Sequence, residues 1–200
     1  MLEKTVDPRL ARSRLALLTA MTELVDERDI AKISITDVVG RAGVTRPTFY
    51  QHFSDIAALA RRAFLTRLDG AFPKLPEDDG ADPPMAQALD EMVETSRTIL
   101  IHLMAHSAFY RRILEAAGTV ELFDDLVVFL EDRLIAEPPI GPLLKSSRSI
   151  SPADRGTILA GGVVWLVIRW LQSDFKGQNT PDQMAVRIAH GLMVLARDQA

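Results

Sequence analysis

The chain has 200 residues, of which 48% are hydrophobic and 25% are charged, and it contains no cysteine. This composition is that of an ordinary globular protein, and a chain of this length can bury a substantial core without cross-links. The missing cysteines exclude disulfides, thiolate metal sites and cysteine nucleophiles, and they fit a reducing, cytoplasmic environment.

The net charge of −4 is unevenly distributed along the chain. Residues 1–70 hold eleven Lys and Arg against nine Asp and Glu, whereas residues 71–200 hold twelve against eighteen. A mildly basic N-terminal part on an acidic body is a weak signal for polyanion binding at one end, and it equally fits ordinary scatter.

The first predicted helix covers residues 9–28. The residues expected on its buried face recur at three- and four-residue steps; they are Leu15, Leu18, Met21, Leu24 and Val25. Two very short helices are predicted at about 35–42 and 46–52. Ser54 is a candidate cap for a longer helix that runs to about residue 71.

Breaks rich in proline and glycine at 72–84, 137–152 and 176–181 divide the rest of the chain. The segments between them have helical periodicity, without alternating strands or repeats, and the fold is predicted to be all-α. The predicted helices cover 85–105, 109–117, 120–135, 153–174 and 182–197.

The longest apolar stretch, 158–168, is too short to span a bilayer, and the N-terminus shows no secretion signal. We therefore expect no membrane association. A helix that is apolar all round must be buried on several sides. We expect 158–171 and 182–197 to form the subunit contact of a homodimer, as a four-helix bundle, with Gly161 and Ile168 in the interface.

Residues 33–53 carry the local signals of two short helices joined by a tight turn. Ser34 is a good N-cap, and Asp37 three residues later resembles a capping box. Gly43 permits the positive φ that ends a helix. Thr45 can cap the next helix, and Pro47 falls in its first turn, where its missing N–H costs nothing.

The second short helix has an apolar and a polar face. Phe49 and Phe53 form an inward pair four residues apart. The outward residues all carry hydrogen-bonding groups; they are Arg46, Thr48, Tyr50, Gln51 and His52. Such a helix is suited to the major groove, where Gln can pair with adenine and Arg with guanine. The spacing alone also fits a plain helical corner with a solvated face.

The string Thr45-Arg-Pro-Thr-Phe-Tyr-Gln-His-Phe53, followed by Ser54-Asp55 and Leu59, closely resembles the signature of the TetR (tetracycline-repressor-like) family. Ala42-Gly43-Val44 resembles the family's turn, and the specific resemblance covers about residues 9–65. The remaining chain resembles the family only in its all-helical layout and in a weak Ala160-Gly-Gly162…Arg169-Trp170 similarity.

This resemblance implies a three-helix helix-turn-helix domain at 1–54, joined to a larger helical effector-binding and dimerisation domain at 55–200. Residues 55–71 are expected to be the connecting helix and the only rigid link between the two. The implied function is a ligand-responsive regulator, most simply a repressor. It would bind palindromic operator DNA as a homodimer and be released by a small-molecule effector, without a cofactor.

The residues implied to lie at the DNA are Thr36, Thr45, Arg46, Pro47, Thr48, Tyr50, Gln51 and His52. In such proteins Tyr50 and His52 would hold phosphates. Two positions depart from the family pattern. Ile56 stands where the family usually has a lysine that grips a phosphate, and Val39 stands where it usually has alanine.

The helical body supplies candidate effector contacts among aromatic and polar side chains that otherwise belong to a core. They are His102, His106, Phe109, Tyr110, Phe123 and Trp165, with Arg169 as a further polar candidate. Ligand pockets are largely apolar with a few polar groups. We expect an apolar, aromatic-containing or cationic molecule between helices 85–105, 120–135 and 153–174.

Two other classes of function fit parts of the sequence. His102 and His106 stand four residues apart, a spacing that can place two imidazoles on one metal, with Glu94, Glu115 or Asp125 as a third ligand. A helical small-molecule-binding or metal-dependent enzyme with an incidental helix-turn-helix is therefore one alternative, and a protein-interaction module is another. The sequence lacks a nucleophile elbow, a phosphate-binding glycine loop and a metalloprotease motif, so we expect neither an enzyme nor a metal site.

Overall fold

The computed structural model describes residues 8–73, 84–117, 120–136, 140–146 and 150–196. Most of the first predicted break and parts of the second lie outside these residues, as do both chain ends. The described residues form helices and no strand, which confirms the predicted all-α fold.

Most predicted helices are present with ends within three residues of those predicted. The helices are α1 (Pro8–Glu27), α2 (Ile35–Ala42), α3 (Arg46–His52), α4 (Ile56–Asp69), α5 (Met85–Ala105), α6 (Ser107–Ala117), α7 (Val120–Ala136), α8 (Ile140–Ser146), α9 (Pro152–Leu171) and α10 (Pro181–Ala196). Helix α8 was not predicted, because Gly141 and Pro142 signal a break. Its proline occupies the first turn, where a helix tolerates it.

The described residues divide into two compact units. The first contains residues 8–67 and 108–117, and the second contains 68–107 and 120–196. Helix α6 therefore belongs to the same unit as α1–α3 and most of α4, although it follows α5 in the chain. The functional boundary between residues 54 and 55 is a different kind of division and stays a prediction.

The core of the first unit is built on one face of α1. Leu17, Met21 and Leu24 are almost fully buried there, whereas Leu15 is 61% exposed. The prediction that Leu15 lies on the buried face is wrong, because it precedes Leu17 by two residues, about 200° around the helix. Leu15 instead lines a shallow groove of about 360 Å³ between α1 and α2, next to Thr19.

In the second unit α5 packs along α10, and α7 packs along α9. Gly161 faces α7, because a Cβ built on it would lie 3.9 Å from Cγ2 of Val127. Gly162 faces open space instead. Helix α9 contacts α7, α8 and α10, and it leaves Ile158, Trp165 and Leu166 exposed.

Candidate nucleic-acid interface

Helix α2 is fixed at its start by a reciprocal capping box. The Ser34 hydroxyl accepts from the backbone N–H of Asp37, and the Asp37 carboxylate accepts from the backbone N–H of Ser34 at 2.9 Å. Hydrogen bonds from the Ser34 side chain and backbone, aided by Arg28 at 3.3 Å, hold the pKa of Asp37 below its ordinary value. The predicted cap is confirmed in its atomic detail.

The turn between α2 and α3 depends on a glycine. Gly43 adopts φ 65° and ψ 31°, the left-handed conformation that ends α2. Two residues later the Thr45 hydroxyl accepts from the N–H of Thr48, and Pro47 occupies the first turn of α3. These local preferences set the direction in which α3 leaves the turn.

Helix α3 separates into the two predicted faces. Phe49 is fully buried and Phe53 is 8% exposed, with ring centroids 6.2 Å apart. The candidate DNA-binding residues Arg46, Pro47, Tyr50 and Gln51 are exposed, as are Thr36 and Thr45, whereas Thr48 and His52 are half-buried. The structure thus brings these eight residues onto or beside one short exposed helix.

Two of the exposed residues lie against each other. The guanidinium of Arg46 lies over the ring of Tyr50, 5.9 Å from its centroid, with Nη2 3.5 Å from the hydroxyl oxygen. Stacking on an aromatic face restricts the guanidinium without removing its donors. Arg46 and Tyr50 can therefore present donors side by side to one negatively charged surface.

Arg41 of α2 forms ion pairs with residues of the same unit. Arg41 donates to Glu27 at 2.8 and 3.0 Å and to Glu23 at 3.2 Å, and it thereby joins α2 to α1. Its hydrogen bonds hold the pKa of Glu27 below the ordinary range. Arg41 was not among the predicted DNA contacts, and its ion pairs with Glu23 and Glu27 give it a structural role between α1 and α2.

The predicted N-cap of α4 is wrong. The cap is Asp55 and not Ser54, because the Asp55 carboxylate accepts from the N–H of Ala58 at 2.7 Å while the Ser54 hydroxyl donates to Asp55. The backbone hydrogen bond from Ala58 lowers the pKa of Asp55. Ile56 follows as the first helical residue, so this position offers no lysine to a phosphate.

Residues 17–63, which contain this capped helix-turn-helix, match the sequence model of the family described as "Bacterial regulatory proteins, tetR family". This part of the chain is similar to the DNA-binding domain of that family. The match covers α2 and α3 and favours a DNA-binding regulator over the helical-enzyme alternative.

Individual proteins are similar to this chain in sequence or in fold. The chain is 37% identical over 54 residues to an uncharacterized HTH-type transcriptional regulator, YxbF of Bacillus subtilis (strain 168); the match covers 26% of this chain and 14% of that protein. The fold is similar to the TetR-family repressor AlkX from Dietzia sp. strain DQ12-45-1b, with TM-score 0.58, 18% identity, and coverage of 92% and 97% of the two chains. It is also similar to the TetR regulator TylP from Streptomyces fradiae, with TM-score 0.52, 17% identity, and coverage of 93% and 87%.

Helix α6 is anchored to α1 and α4 within the first unit. Arg112 donates to the carbonyl oxygens of Val25 and Asp26, at 2.6 and 2.8 Å, at the end of α1. The Tyr110 ring contacts Phe64 of α4, with centroids 4.7 Å apart. The expectation that helix 55–71 alone joins the N-terminal domain to the body is wrong, because α6 contacts the N-terminal helices directly.

The predicted effector residues are divided between the two units. Phe109 and Tyr110 are fully buried in the first unit, and burial raises the pKa of the Tyr110 hydroxyl. Trp165 is 55% exposed, so it does not line an internal cavity of the subunit. His102 and His106 contact each other on α5, with ring centroids 4.7 Å apart, and belong to the second unit with the half-buried Phe123 of α7.

Two further observations concern alternatives raised by the sequence. Within the described residues, no group of three or more His, Asp or Glu side chains is arranged to hold a metal ion. No helix in the described part of the chain is long and apolar enough to cross a membrane. The sequence analysis did not identify Arg155 of α9 as a buried charged residue, although its side chain is only 8% exposed.

Proposed function

We propose that the protein is a ligand-responsive repressor that binds a palindromic operator as a homodimer and releases it when a small molecule binds. The observation that carries the proposal is the exposed polar face of α3, held outward by the buried Phe49 and Phe53. A short helix that presents such groups next to a capped turn has the form of a recognition helix. Its place of action is then the cytoplasm, where the chromosome is accessible.

Each exposed residue is assigned a contact by its chemistry. Gln51 is suited to an adenine edge and Arg46 to a guanine edge or a phosphate, while Tyr50 and His52 contact phosphates. The remaining contacts are assigned to Thr36, Thr45, Pro47 and Thr48. Because Ile56 supplies no cation, the stacked Arg46–Tyr50 pair carries more of the phosphate binding than it would beside a lysine.

The partner in this proposal is a second copy of the chain. On α9 the exposed residues Ile158, Trp165 and Leu166 are 63%, 55% and 46% exposed. On α10 Val194 and Leu195 are 58% and 65% exposed. Large exposed apolar side chains on adjacent helices are typical of an interface, and two such pairs would close a four-helix bundle.

For the effector we retain an apolar small molecule bound among α5, α7 and α9. Among the predicted contacts, His102, His106, Phe123 and Trp165 belong to the second unit with these three helices, whereas Phe109 and Tyr110 belong to the first unit. The effector must bind the DNA-incompetent state more tightly. A 100-fold release of operator requires about 2.7 kcal/mol of differential affinity.

Selection of bound duplexes from a random DNA pool tests the proposal. We expect enrichment of a palindrome, with a preference over competitor DNA of about 10³-fold or more. Binding without sequence preference would favour an interaction module instead. Calorimetry of an effector with and without the selected duplex then tests regulation, because reciprocity requires DNA to weaken effector binding by the factor by which the effector weakens DNA binding.

A further inference from the structure

One exposed face of α9 carries apolar residues between two opposite charges. Ile158, Gly162 and Trp165 are exposed on this face, which extends from Asp154 in the first turn of the helix to Arg169 in the last. The five residues follow one another at steps of four, four, three and four, so they lie within about 80° of one another around the helix. We call these five residues the α9 stripe.

Both charged ends of the α9 stripe are available to a second molecule. The Arg169 side chain has no hydrogen-bond or ion-pair partner among the described residues. The Asp154 carboxylate accepts from the Ser151 hydroxyl through Oδ2 at 2.6 Å, and within the same described ranges its Oδ1 has no partner. An apolar face with opposite charges at its two ends is complementary to a copy of itself that runs in the opposite direction.

The spacing of the charges determines a register for such a pair. In an antiparallel pair of identical helices related by a two-fold axis, residues at equal distances on the two sides of the axis face each other. An axis that passes between residues 161 and 162 places Asp154 opposite the partner's Arg169, because each lies 7.5 positions from the axis. Both ends of the pair then carry an attractive contact.

The same axis also matches the apolar residues of the α9 stripe. Ile158 and the partner's Trp165 face each other, because each lies 3.5 positions from the axis. At the crossing point Gly162 has open space where a Cβ would be, so the two backbones can approach closely. A parallel pair would instead place each charge beside its own copy, where the two repel.

We propose that the α9 stripe selects a second copy of this chain as its partner. The two α9 helices cross antiparallel with the axis between residues 161 and 162, and Asp154 forms an ion pair with the partner's Arg169 at each end. The inference rests on the proposed function, which requires a homodimer through α9 and α10, and it adds the register and the selectivity. Another helical chain without these two charges at this spacing leaves both of them unpaired, so mixed dimers are disfavoured.

Charge reversal tests the register. Asp154→Lys and Arg169→Glu each create two like-charge contacts in the homodimer, so each should raise its dissociation constant about tenfold or more at low ionic strength. A dimer of one Asp154→Lys chain and one Arg169→Glu chain regains both attractions. An equimolar mixture should therefore contain about 90% heterodimer instead of the statistical half, and native mass spectrometry resolves the three dimers.

Two controls separate pairing between subunits from effects within one helix. Each charge also suits the macrodipole of its own α9, so a single reversal has a local cost. The double variant Asp154→Lys/Arg169→Glu carries both local costs but has attractive contacts, so it should dimerise more tightly than either single variant. Lys176→Glu reverses an exposed charge beyond the end of α9 and should leave the dissociation constant unchanged.

Disulfide cross-linking gives a second readout of the register, because the wild type contains no cysteine. Oxidation of an equimolar mixture of Ile158→Cys and Trp165→Cys should join the two variants to each other. Neither should cross-link alone, because two copies of one position lie about 10 Å apart along the helices.

Statistical mixing of the charge variants would overturn the proposed register, and so would cross-linking of Ile158→Cys to itself. The homodimer of the proposed function would remain in both cases. A monomeric wild type would instead refute the dimer of the proposed function, and the register with it.

Discussion

Arg112 donates a hydrogen bond of 2.6 Å to the carbonyl oxygen of Val25, and a second of 2.8 Å to that of Asp26. The last turn of α1 contains no basic residue, so its unsatisfied carbonyls receive their cation from α6. Arg67 of α4 adds an ion pair to the Asp26 carboxylate, 2.9 Å away. The end of α1 is thus the point at which three helices of the first unit are joined.

We expect Arg112→Ala to lower the free energy of unfolding by about 1–3 kcal/mol, because a charged donor is removed from two helix-terminal carbonyls. Arg112→Lys should recover part of the loss. Lys32→Ala is the matched control; its ion pair with Asp29 is exposed, and its loss should cost at most about 0.5 kcal/mol. Urea unfolding measures all three, and equal midpoints for Arg112→Ala and Lys32→Ala would show that the anchor is not stabilising.

Tyr50 and Gln51 are adjacent on α3, but we expect Tyr50 to contact a phosphate and Gln51 to contact a base. Tyr50→Phe should weaken binding to all duplexes alike, because a phosphate contact carries no base information. Gln51→Ala should relax the preference at one base pair in each half-site, at a cost of about 1–3 kcal/mol. Competition binding with single-base variants of the selected duplex separates the effects; if neither substitution changes binding in a folded protein, α3 is not the recognition helix.

Sequence reasoning worked where local chemistry determines the backbone. The bounds of α2 and α3 follow from Ser34, Gly43 and Thr45, which act within a few residues of themselves. It failed where the outcome depends on distant packing. Periodicity placed Leu15 on the buried face because it cannot fix which apolar stripe faces the core, and nothing near Arg112 indicates that its partners lie in α1.

The Asp55 cap makes a pH-dependent contribution to stability. Its pKa is lowered in the folded state, chiefly by the hydrogen bond from the Ala58 N–H. The stabilisation is therefore complete above the unfolded pKa of about 4 and is lost as the pH falls through the lower folded value. Asp55→Ala should cost about 1 kcal/mol at pH 7 and progressively less in acid. Asp55→Ser, a cap that does not titrate, should remove the contribution of Asp55 to the pH dependence of stability, and thermal unfolding between pH 3 and 7 checks both variants.

Substitutions at the neighbouring residues Gly161 and Gly162 of α9 should have different effects, because one position faces the subunit's own packing and the other faces open space. Gly162 faces open space, so Gly162→Leu should leave the subunit folded while blocking the approach of a partner helix. It should even gain up to about 1 kcal/mol of helix propensity. Gly161 faces Val127 of α7, so Gly161→Leu should instead reduce the free energy of unfolding by overpacking the core.

Trp165→Asp tests the same interface from its exposed aromatic residue. Buried interface tryptophans commonly contribute 2 kcal/mol or more, so we expect the dimer dissociation constant to rise by about 30-fold or more. Val120→Asp is the control, because Val120 is 83% exposed at the start of α7, outside the proposed interface.

Sedimentation at micromolar concentration should show monomers for Trp165→Asp and Gly162→Leu and dimers for the control. A monomeric wild type would refute the interface, and so would a Trp165→Asp variant that dimerises as tightly as the wild type. Because two half-sites are bound by one dimer, the monomeric variants should also lose preference for the palindrome over a single half-site.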